Sequence, residues 1–252
     1  MTPDDRDPKA GAAAGAGAPE ETRGPWWLAL RVIDEPVPVF RDLARRPRAL
    51  VPIGLIVLVS AVVAFGTPES SIRGAVQAQA ARFREAAPER FDEADVRRMI
   101  TEASSPRARV ISLAAGTAGT MIGLVAVSLV LMFIFGSTSG VEIRFKDEFA
   151  IAVHAYVPQL IGGLLVLTLM MFADFDQFEI SLGFLFDRDT SPFLYAFTNG
   201  LTLFGGWNVY LLALGNQVKT NARGVGGSLA IVGGLWLAMK LVLAGIAAMA
   251  GV

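Results

Sequence analysis

Apolar residues fill five long stretches of this sequence, and polar residues occupy the segments between them. The stretches carry almost no charge and run approximately over residues 50–65, 110–135, 149–172, 192–214 and 225–250. A hydrocarbon core about 30 Å thick is crossed by roughly 20 apolar residues of helix. The pattern therefore predicts an all-α, polytopic transmembrane helix bundle of about five spans, whose short first span needs flanking residues to complete it.

The polar segments divide the chain into three parts. Residues 1–24 are acidic, are rich in proline, alanine and glycine, and lack the apolar segment of a signal peptide, so we expect a disordered tail. Residues 25–48 mix tryptophan, aliphatic residues and arginine, which is typical of an amphipathic juxtamembrane segment. Residues 49–252 form the predicted membrane domain, which is interrupted by a polar insert over 67–107.

Helical spacing within residues 25–48 places Val39, Phe40 and Leu43 on one face. We interpret this segment as an N-terminal amphipathic interfacial helix, with an ordinary juxtamembrane linker as the alternative. Four arginines lie off the apolar face and are expected to attract anionic headgroups: Arg41, Arg45, Arg46 and Arg48.

Two signals for a helix start lie within the polar insert. Thr67-Pro68-Glu69 combines a cap, a proline at the first helical position and an acid, and Asp92 precedes an apolar stripe. The stripe consists of Val96, Met99, Ile100 and Ala103. We expect a helical hairpin packed on the membrane surface; a solvated helical loop without partners is the alternative.

Charge asymmetry between the connecting segments predicts the orientation. Segments around residues 31–48, 144–146 and 219–223 contain most of the membrane-flanking bases, whereas the loop over 174–191 is acidic. The positive-inside rule then places the N-terminus in the cytoplasm and the C-terminus outside, with the chain in the cell (inner or cytoplasmic) membrane. The insert would also lie outside, where its basic residues are more numerous than the rule favours.

The third apolar stretch contains an unusual set of polar residues and a helix breaker. Pro158 lacks an N–H and crowds the carbonyl of His154, so we expect a kink with that carbonyl left free. A free carbonyl in hydrocarbon needs a partner, and the stretch should therefore face other helices or a water pocket. Tyr156 and Gln159 share a face and offer donors to a neighbouring span.

Two further polar residues lie at a similar depth, Asn208 in the fourth stretch and Lys240 in the fifth. A lysine at mid-membrane is unfavourable by roughly 2.5–3.5 kcal/mol, so it should turn inward, find a partner or snorkel. We expect Gln159, Asn208 and Lys240 to converge, with His154 and Tyr156 nearer the inner face. Structural glue between helices, a partner- or lipid-sensing element and a solute or proton path remain open as roles.

Small residues in the second stretch indicate helix packing. Gly116, Gly119 and Gly123 are spaced so that another backbone can approach closely, and packing within the chain is favoured over dimerisation.

Composition narrows the chemistry. The chain has no cysteine, one histidine and a net charge of −1, so thiolate catalysis, a metal site and nucleic-acid binding are not expected. The sequence lacks the motifs of nucleophilic, metal-dependent and phosphate-binding enzymes. The segment FGSTSG at residues 135–140 resembles a phosphate loop, but the lysine that completes such a loop is missing. We therefore expect no enzyme activity and no cofactor.

Three stretches together resemble a known family: FRDLARRPRALVPIGLIVLVSA, FIFGSTSGVEIRFKDEFAIAVHAYVPQLIGGLL and NGLTLFGGWNVYLLALGNQVKT. Their order is similar to that of the Yip family of five-span membrane proteins, in its bacterial branch. The matching residues are Phe40, Pro47, Phe135, Gly136, Phe145, Lys146, Tyr156, Pro158, Trp207 and Gly215. Ser137 and Asn216 depart from the family pattern, which more often has glycine and an apolar residue there.

The resemblance implies a membrane location and a topology, and it brings no catalytic residues. Eukaryotic members associate with Rab/Ypt GTPases in vesicle traffic, a role that does not transfer to a bacterial cell. We expect a non-enzymatic membrane protein that organises partners or lipids, its partners being anionic headgroups and an unidentified protein or a second copy. The alternative is a small transporter or channel component with a polar midplane site at His154, Gln159, Asn208 and Lys240.

Overall fold

The computed structural model describes residues 24–86, 92–172, 181–186, 190–222 and 224–249. The predicted disordered tail, apart from Gly24, and most of the acidic loop over 174–191 lie outside these residues. Eleven α-helices form the described part: α1 (Pro25–Arg31), α2 (Pro36–Arg45), α3 (Leu50–Gly66), α4 (Glu69–Ala86), α5 (Glu93–Ala103), α6 (Pro106–Ser139), α7 (Phe145–Ala155), α8 (Val157–Phe172), α9 (Pro192–Asn199), α10 (Leu203–Thr220) and α11 (Val225–Met249).

Regular β-structure within the described ranges is limited to one isolated bridge between Ser181 and Thr202, next to a 3₁₀ turn over Leu182–Leu185. The expected all-α architecture is therefore confirmed. It follows from the sequence because the apolar stretches are too long for strands and because proline stands at or next to the first position of several helices, including α1, α2, α6 and α9.

Three helical segments are long and apolar enough to cross a membrane, among the residues described: Pro106–Ser139, Phe145–Phe172 and Val225–Met249. They agree with the predicted second, third and fifth spans. The predicted first span is α3, which has 17 residues and joins α4 at a bend of 81°. Taken together, α3 and the first part of α4 make a fourth candidate, so the count of five spans is approximate.

The predicted fourth span is the one that differs most from expectation. It is broken into α9 and α10 at residues 200–202, and α10 continues beyond residue 214 to Thr220. The break has a local cause, because Thr202 begins α10 by accepting a hydrogen bond on its hydroxyl from the Gly205 N–H at 3.0 Å. The backbone N–H of Leu182 also donates to the carbonyl of Leu201 at 3.2 Å, so the 3₁₀ turn is hydrogen-bonded to the segment between α9 and α10.

Both helices predicted for the insert are present. The Asp92 carboxylate caps α5 by accepting a hydrogen bond from the Asp95 N–H at 2.8 Å. In turn, the Asp95 carboxylate accepts from the Asp92 N–H at 3.4 Å, which completes a capping box. The α5 helix packs against α4, as a hairpin requires. Its apolar stripe, Val96, Met99, Ile100 and Ala103, is half-buried. Packing of this hairpin on a membrane surface stays a prediction.

The side chain of Arg109 on α6 ties the insert to the bundle. Its Nη1 donates to three backbone carbonyls at the end of α3, those of Ala64 at 3.3 Å, Phe65 at 2.8 Å and Thr67 at 3.2 Å. These are carbonyls that the last turn of a helix leaves without intrahelical partners. The guanidinium therefore caps α3 where the chain bends away, and it fixes the start of α6 at the same point.

The core is centred on α2, α7 and α10. The predicted apolar face of α2 is confirmed, since Val39, Phe40 and Leu43 are buried. This face is covered by α7 and α10 rather than by lipid. The other side of the helix carries the exposed Arg41 and Arg45. The short N-terminal helix is consequently part of the folded bundle, and only its basic side is available to membrane headgroups.

Candidate functional site

The third span is broken where Pro158 predicts a kink. The α7 helix ends at Ala155 and α8 begins at Val157, and the N–H of Gln159 donates to the carbonyl of Tyr156 at 2.9 Å. This shifted bond releases the carbonyl of Ala155. The side chain of Asn208 on α10 occupies it, its Nδ2 donating to that oxygen at 2.8 Å. A polar residue of the fourth span therefore supplies the partner expected for a freed carbonyl, one residue later than His154.

The hydrogen bond that the structure records for the histidine ring lies within its own helix. His154 is buried, and its Nδ1–H donates to the carbonyl of Ala150 in the same helix at 2.8 Å. This local bond satisfies one ring nitrogen within α7. His154 thus contributes to the packing of α7 and is not placed in the contact between Asn208 and Ala155.

Gln159 lies at a close approach between the third and fourth spans. A Cβ on Gly205 would lie 3.6 Å from the Gln159 Nε2 and 3.3 Å from the Trp236 ring. One turn along, a Cβ on Gly162 would lie only 2.6 Å from the ring of Phe204. The two glycines allow α8 and α10 to approach closely, as small residues do between membrane helices.

Lys240 lies over the ring of Trp236 on the same helix. Its ammonium is 6.0 Å from the centroid of the Trp236 ring, within the range of a cation–π contact, and its Cδ would be 2.9 Å from a Cβ on Gly200. Asn208 and Gln159 therefore belong to the contact of α10 with the third span, whereas Lys240 belongs to the contact of α11 with the broken end of α9. Convergence of the three side chains at one point stays a prediction.

Two cavities border these contacts. One of about 880 Å³ lies among α3, α4, α6 and α8 and is lined by Tyr156, Gln159 and Arg109, by several serine and threonine hydroxyls, and by apolar side chains. Another, of about 380 Å³, is lined by Lys240, Asn199 and Tyr195. The two sets of lining residues do not overlap, so the polar residues predicted at mid-membrane border two separate spaces.

A buried polar cluster near the turn before α7 was missed by the sequence analysis. Glu148 and Asn216 are both fully buried, and the Asn216 Nδ2 donates to the Glu148 Oε2 at 3.2 Å and to the Leu212 carbonyl at 3.0 Å. Beside them, the Lys219 Nζ lies 3.1 Å from the Asp147 Oδ2. The departure from the family pattern at Asn216 thus has a structural reason, since it supplies the donor for a carboxyl group buried in α7.

Helix packing uses other glycines than those predicted. Gly116, Gly119 and Gly123 on α6 have no heavy atom within 4 Å of an added Cβ, and Gly116 borders the larger cavity. The expected packing within the chain is therefore absent at these three positions, because they lie on an open side of α6. The tightest approach is at Gly215, where a Cβ would lie 2.5 Å from the Ile151 Cγ2 and 3.2 Å from the ring of Phe40.

A third cavity, a groove of about 430 Å³, lies between α2 and the end of α10. It is lined by Arg41 and Arg45, by Gln217 and Asn221, and by small apolar residues. Of the four predicted membrane-surface arginines, Arg41, Arg45 and Arg46 are exposed and Arg48 is half-buried. The structure thus brings two of the four into one concave surface.

Long apolar helices, polar side chains satisfied between helices and an N-terminal helix packed on the bundle define an integral, multi-pass helical membrane protein. The Yip1 domain family model matches residues 30–246, and the chain belongs to the Yip family. No curated protein and no solved structure matches the chain. The Yip1 family is not a known enzyme family.

Replacing Asn208 tests whether the bond to Ala155 joins the third and fourth spans. We expect Asn208→Leu to lower the free energy of unfolding by about 1 kcal/mol, since interhelical hydrogen bonds in membranes contribute roughly 0.6 kcal/mol on average and up to about 1.7. Unfolding in mixed detergent micelles measures this, with Tyr210→Phe on the same helix as the control. Equal stability of Asn208→Leu and the wild-type protein would show that the bond contributes nothing.

Proposed function

We propose that this protein is a non-enzymatic organiser of the membrane surface, which holds anionic lipids at the face formed by α2. We place that face in the cytoplasm, with the protein in the inner membrane, because the basic flanking segments favour this orientation. The chemistry required is electrostatic attraction, at about 1 kcal/mol for each arginine near an anionic surface.

The observation that supports the proposal is the way α2 is held. Phe40 and Leu43 are buried against the bundle, so α2 does not need to insert its apolar face in lipid to be stable. Arg41, Arg45 and Arg46 are exposed on the other side. A fixed helix with a basic outer side keeps these charges at one position relative to the membrane, which lowers the entropic cost of binding headgroups.

The test removes the four charges together. The full-length protein with Arg41, Arg45, Arg46 and Arg48 all changed to glutamine should lose most of its enrichment of phosphatidylglycerol over phosphatidylcholine, measured from the lipid that co-purifies in mixed nanodiscs. The control variant changes four arginines of the insert that are exposed, Arg73, Arg97, Arg98 and Arg107, to glutamine. The same enrichment in the wild-type protein and the first variant, or the same loss in both variants, would refute the proposal.

A solute path is the second candidate and has less support. Such a path needs a continuous polar chamber, whereas Gln159 and Lys240 border separate cavities. The contacts of Asn208 with Ala155 and of Lys240 with Trp236 are those of polar side chains that hold membrane helices together.

A further inference from the structure

The charged residues that line the groove between α2 and the end of α10 are all basic, among the residues that the structure describes. They are Arg41 and Arg45, and the amide side chains of Gln217 and Asn221 complete the described polar lining. Arg41 and Arg45 are one helical turn apart, so both lie on the same side of α2. The single acidic residue of α2, Asp42, is not among the lining residues.

Two of the last four backbone carbonyls of α10 already accept capping hydrogen bonds, which reduces their repulsion of an anion in the groove. A helix C-terminus normally exposes carbonyl oxygens, which repel an anion. Here the N–H of Asn221 donates to the carbonyl of Val218 at 3.4 Å, and the N–H of Ala222 donates to that of Gln217 at 3.2 Å. Asn221 reaches this geometry with a φ of 54°, in the left-handed region that caps helices. The side-chain amide of Gln217 donates to the Ala222 carbonyl at 2.9 Å, so this carbonyl also has a partner.

The groove lies where the apolar part of α10 ends. Residues 211–216 of this helix are buried in the bundle, and the groove begins at Gln217. A polar groove at the end of an apolar helix segment is expected to lie near the headgroup region of a bilayer. Val37, Ala44 and Val218 give the groove an apolar side, suited to the glycerol and the first methylene groups of a lipid.

The groove is also held in shape before any ligand arrives. Phe40, on the buried face of α2, packs against the backbone of α10 at Gly215, and no larger residue fits there without displacement. The contact fixes α2 against α10 just beside the groove. The two guanidinium groups therefore begin from a backbone that is already in place, which favours specific binding over a diffuse charge cloud.

We propose that this groove binds the phosphate of one anionic phospholipid headgroup, with Arg41 and Arg45 as its cationic ligands and Asn221 as a neutral donor. The inference rests on the proposed function, and it adds a defined site to it. Guanidinium groups match the geometry of phosphate oxygens with two parallel N–H donors. A pair of them favours an anionic headgroup over a zwitterionic one, because the ammonium group of a zwitterionic headgroup offsets its phosphate and is repelled by the two arginines.

The decisive comparison is between two exposed arginines five residues apart. Arg41 lines the groove and Arg46 does not, so Arg41→Gln and Arg46→Gln remove the same charge at nearly the same place. With the full-length protein in detergent, titrated with short-chain phosphatidylglycerol, we expect Arg41→Gln to weaken binding about tenfold and Arg46→Gln less than about twofold. Ala44→Trp, which fills the groove and leaves every charge, should weaken binding as Arg41→Gln does. Unchanged thermal unfolding midpoints will show that all three variants are folded.

Each alternative outcome is distinct. Equal losses for Arg41→Gln and Arg46→Gln, with no effect of Ala44→Trp, would overturn the groove and leave the general attraction of lipids standing. If the variant with all four arginines replaced also binds normally, the proposed function fails together with the site. Displacement of the lipid by millimolar inorganic phosphate would identify a free phosphate ligand and overturn the assignment to a headgroup.

Discussion

A single methyl group on Gly215 is expected to destabilise the protein and to loosen α2 from the bundle. The added Cβ would lie 2.5 Å from the Ile151 Cγ2 on α7 and 3.2 Å from two ring atoms of Phe40 on α2. Contacts this short force side chains or backbone to move, which typically lowers stability by ~1–3 kcal/mol. Over most of this range the loss exceeds the gain in helix propensity of about 1 kcal/mol that alanine brings over glycine.

The chain offers a matched control and a clean cross-linking assay for this prediction. Gly206 is on the same helix, has no heavy atom within 4 Å of an added Cβ, and should accept alanine with unchanged or slightly higher stability. The sequence has no cysteine, so Val37→Cys and Val218→Cys, at two positions that line one groove, report the distance between α2 and α10 through the rate at which a bifunctional thiol reagent links them. Gly215→Ala should slow that reaction and lower the unfolding midpoint. If Gly215→Ala and Gly206→Ala behave alike in both measurements, the close packing is not real.

Removing the amide of Asn216 is expected to be the second large effect. Asn216→Leu leaves the carboxyl group of Glu148 fully buried and takes away the donor that bonds to it at 3.2 Å. An unpaired buried polar group reduces stability by about 1–3 kcal/mol, and by more when it is charged. Thermal unfolding in detergent should show a clear loss for this variant.

A double substitution separates this cause from lost packing. When Glu148→Leu and Asn216→Leu are combined, no polar group is left unpaired, and apolar side chains of similar size often replace such a pair without loss. The double variant should therefore be more stable than Asn216→Leu alone. A double variant that loses the sum of the two single losses would contradict the pairing of these residues.

Features that depend on residues close together in the sequence were predicted and confirmed. The face of Val39, Phe40 and Leu43 was evident because helical periodicity needs only a few residues. The start of α5 at Asp92 was evident because a cap is a property of four consecutive residues. The break of the third span followed from Pro158, whose ring and missing N–H act on its own helix.

Features that depend on distant residues were not predicted. Glu148 and Asn216 are 68 positions apart, and each lies in a segment where a polar residue reads as the edge of a span. The break before α10 was hidden because residues 199–206 are mostly small or apolar, and because the bond from Leu182 to Leu201, which accompanies the Thr202 cap, comes from outside this stretch. The covering of α2 by α7 and α10 was missed for the same reason. An apolar stripe has the same appearance in the sequence whether lipid or protein covers it.

The capping of α3 by Arg109 has a consequence for the design of this family member. One guanidinium joins the point where the chain leaves the bundle, at Thr67, to the point where it returns. The insert therefore begins and ends next to the same side chain, that of Arg109. We therefore expect that shortening or lengthening the insert in this chain leaves the packing of α2, α7 and α10 unchanged, as long as Arg109 keeps its bonds to the end of α3.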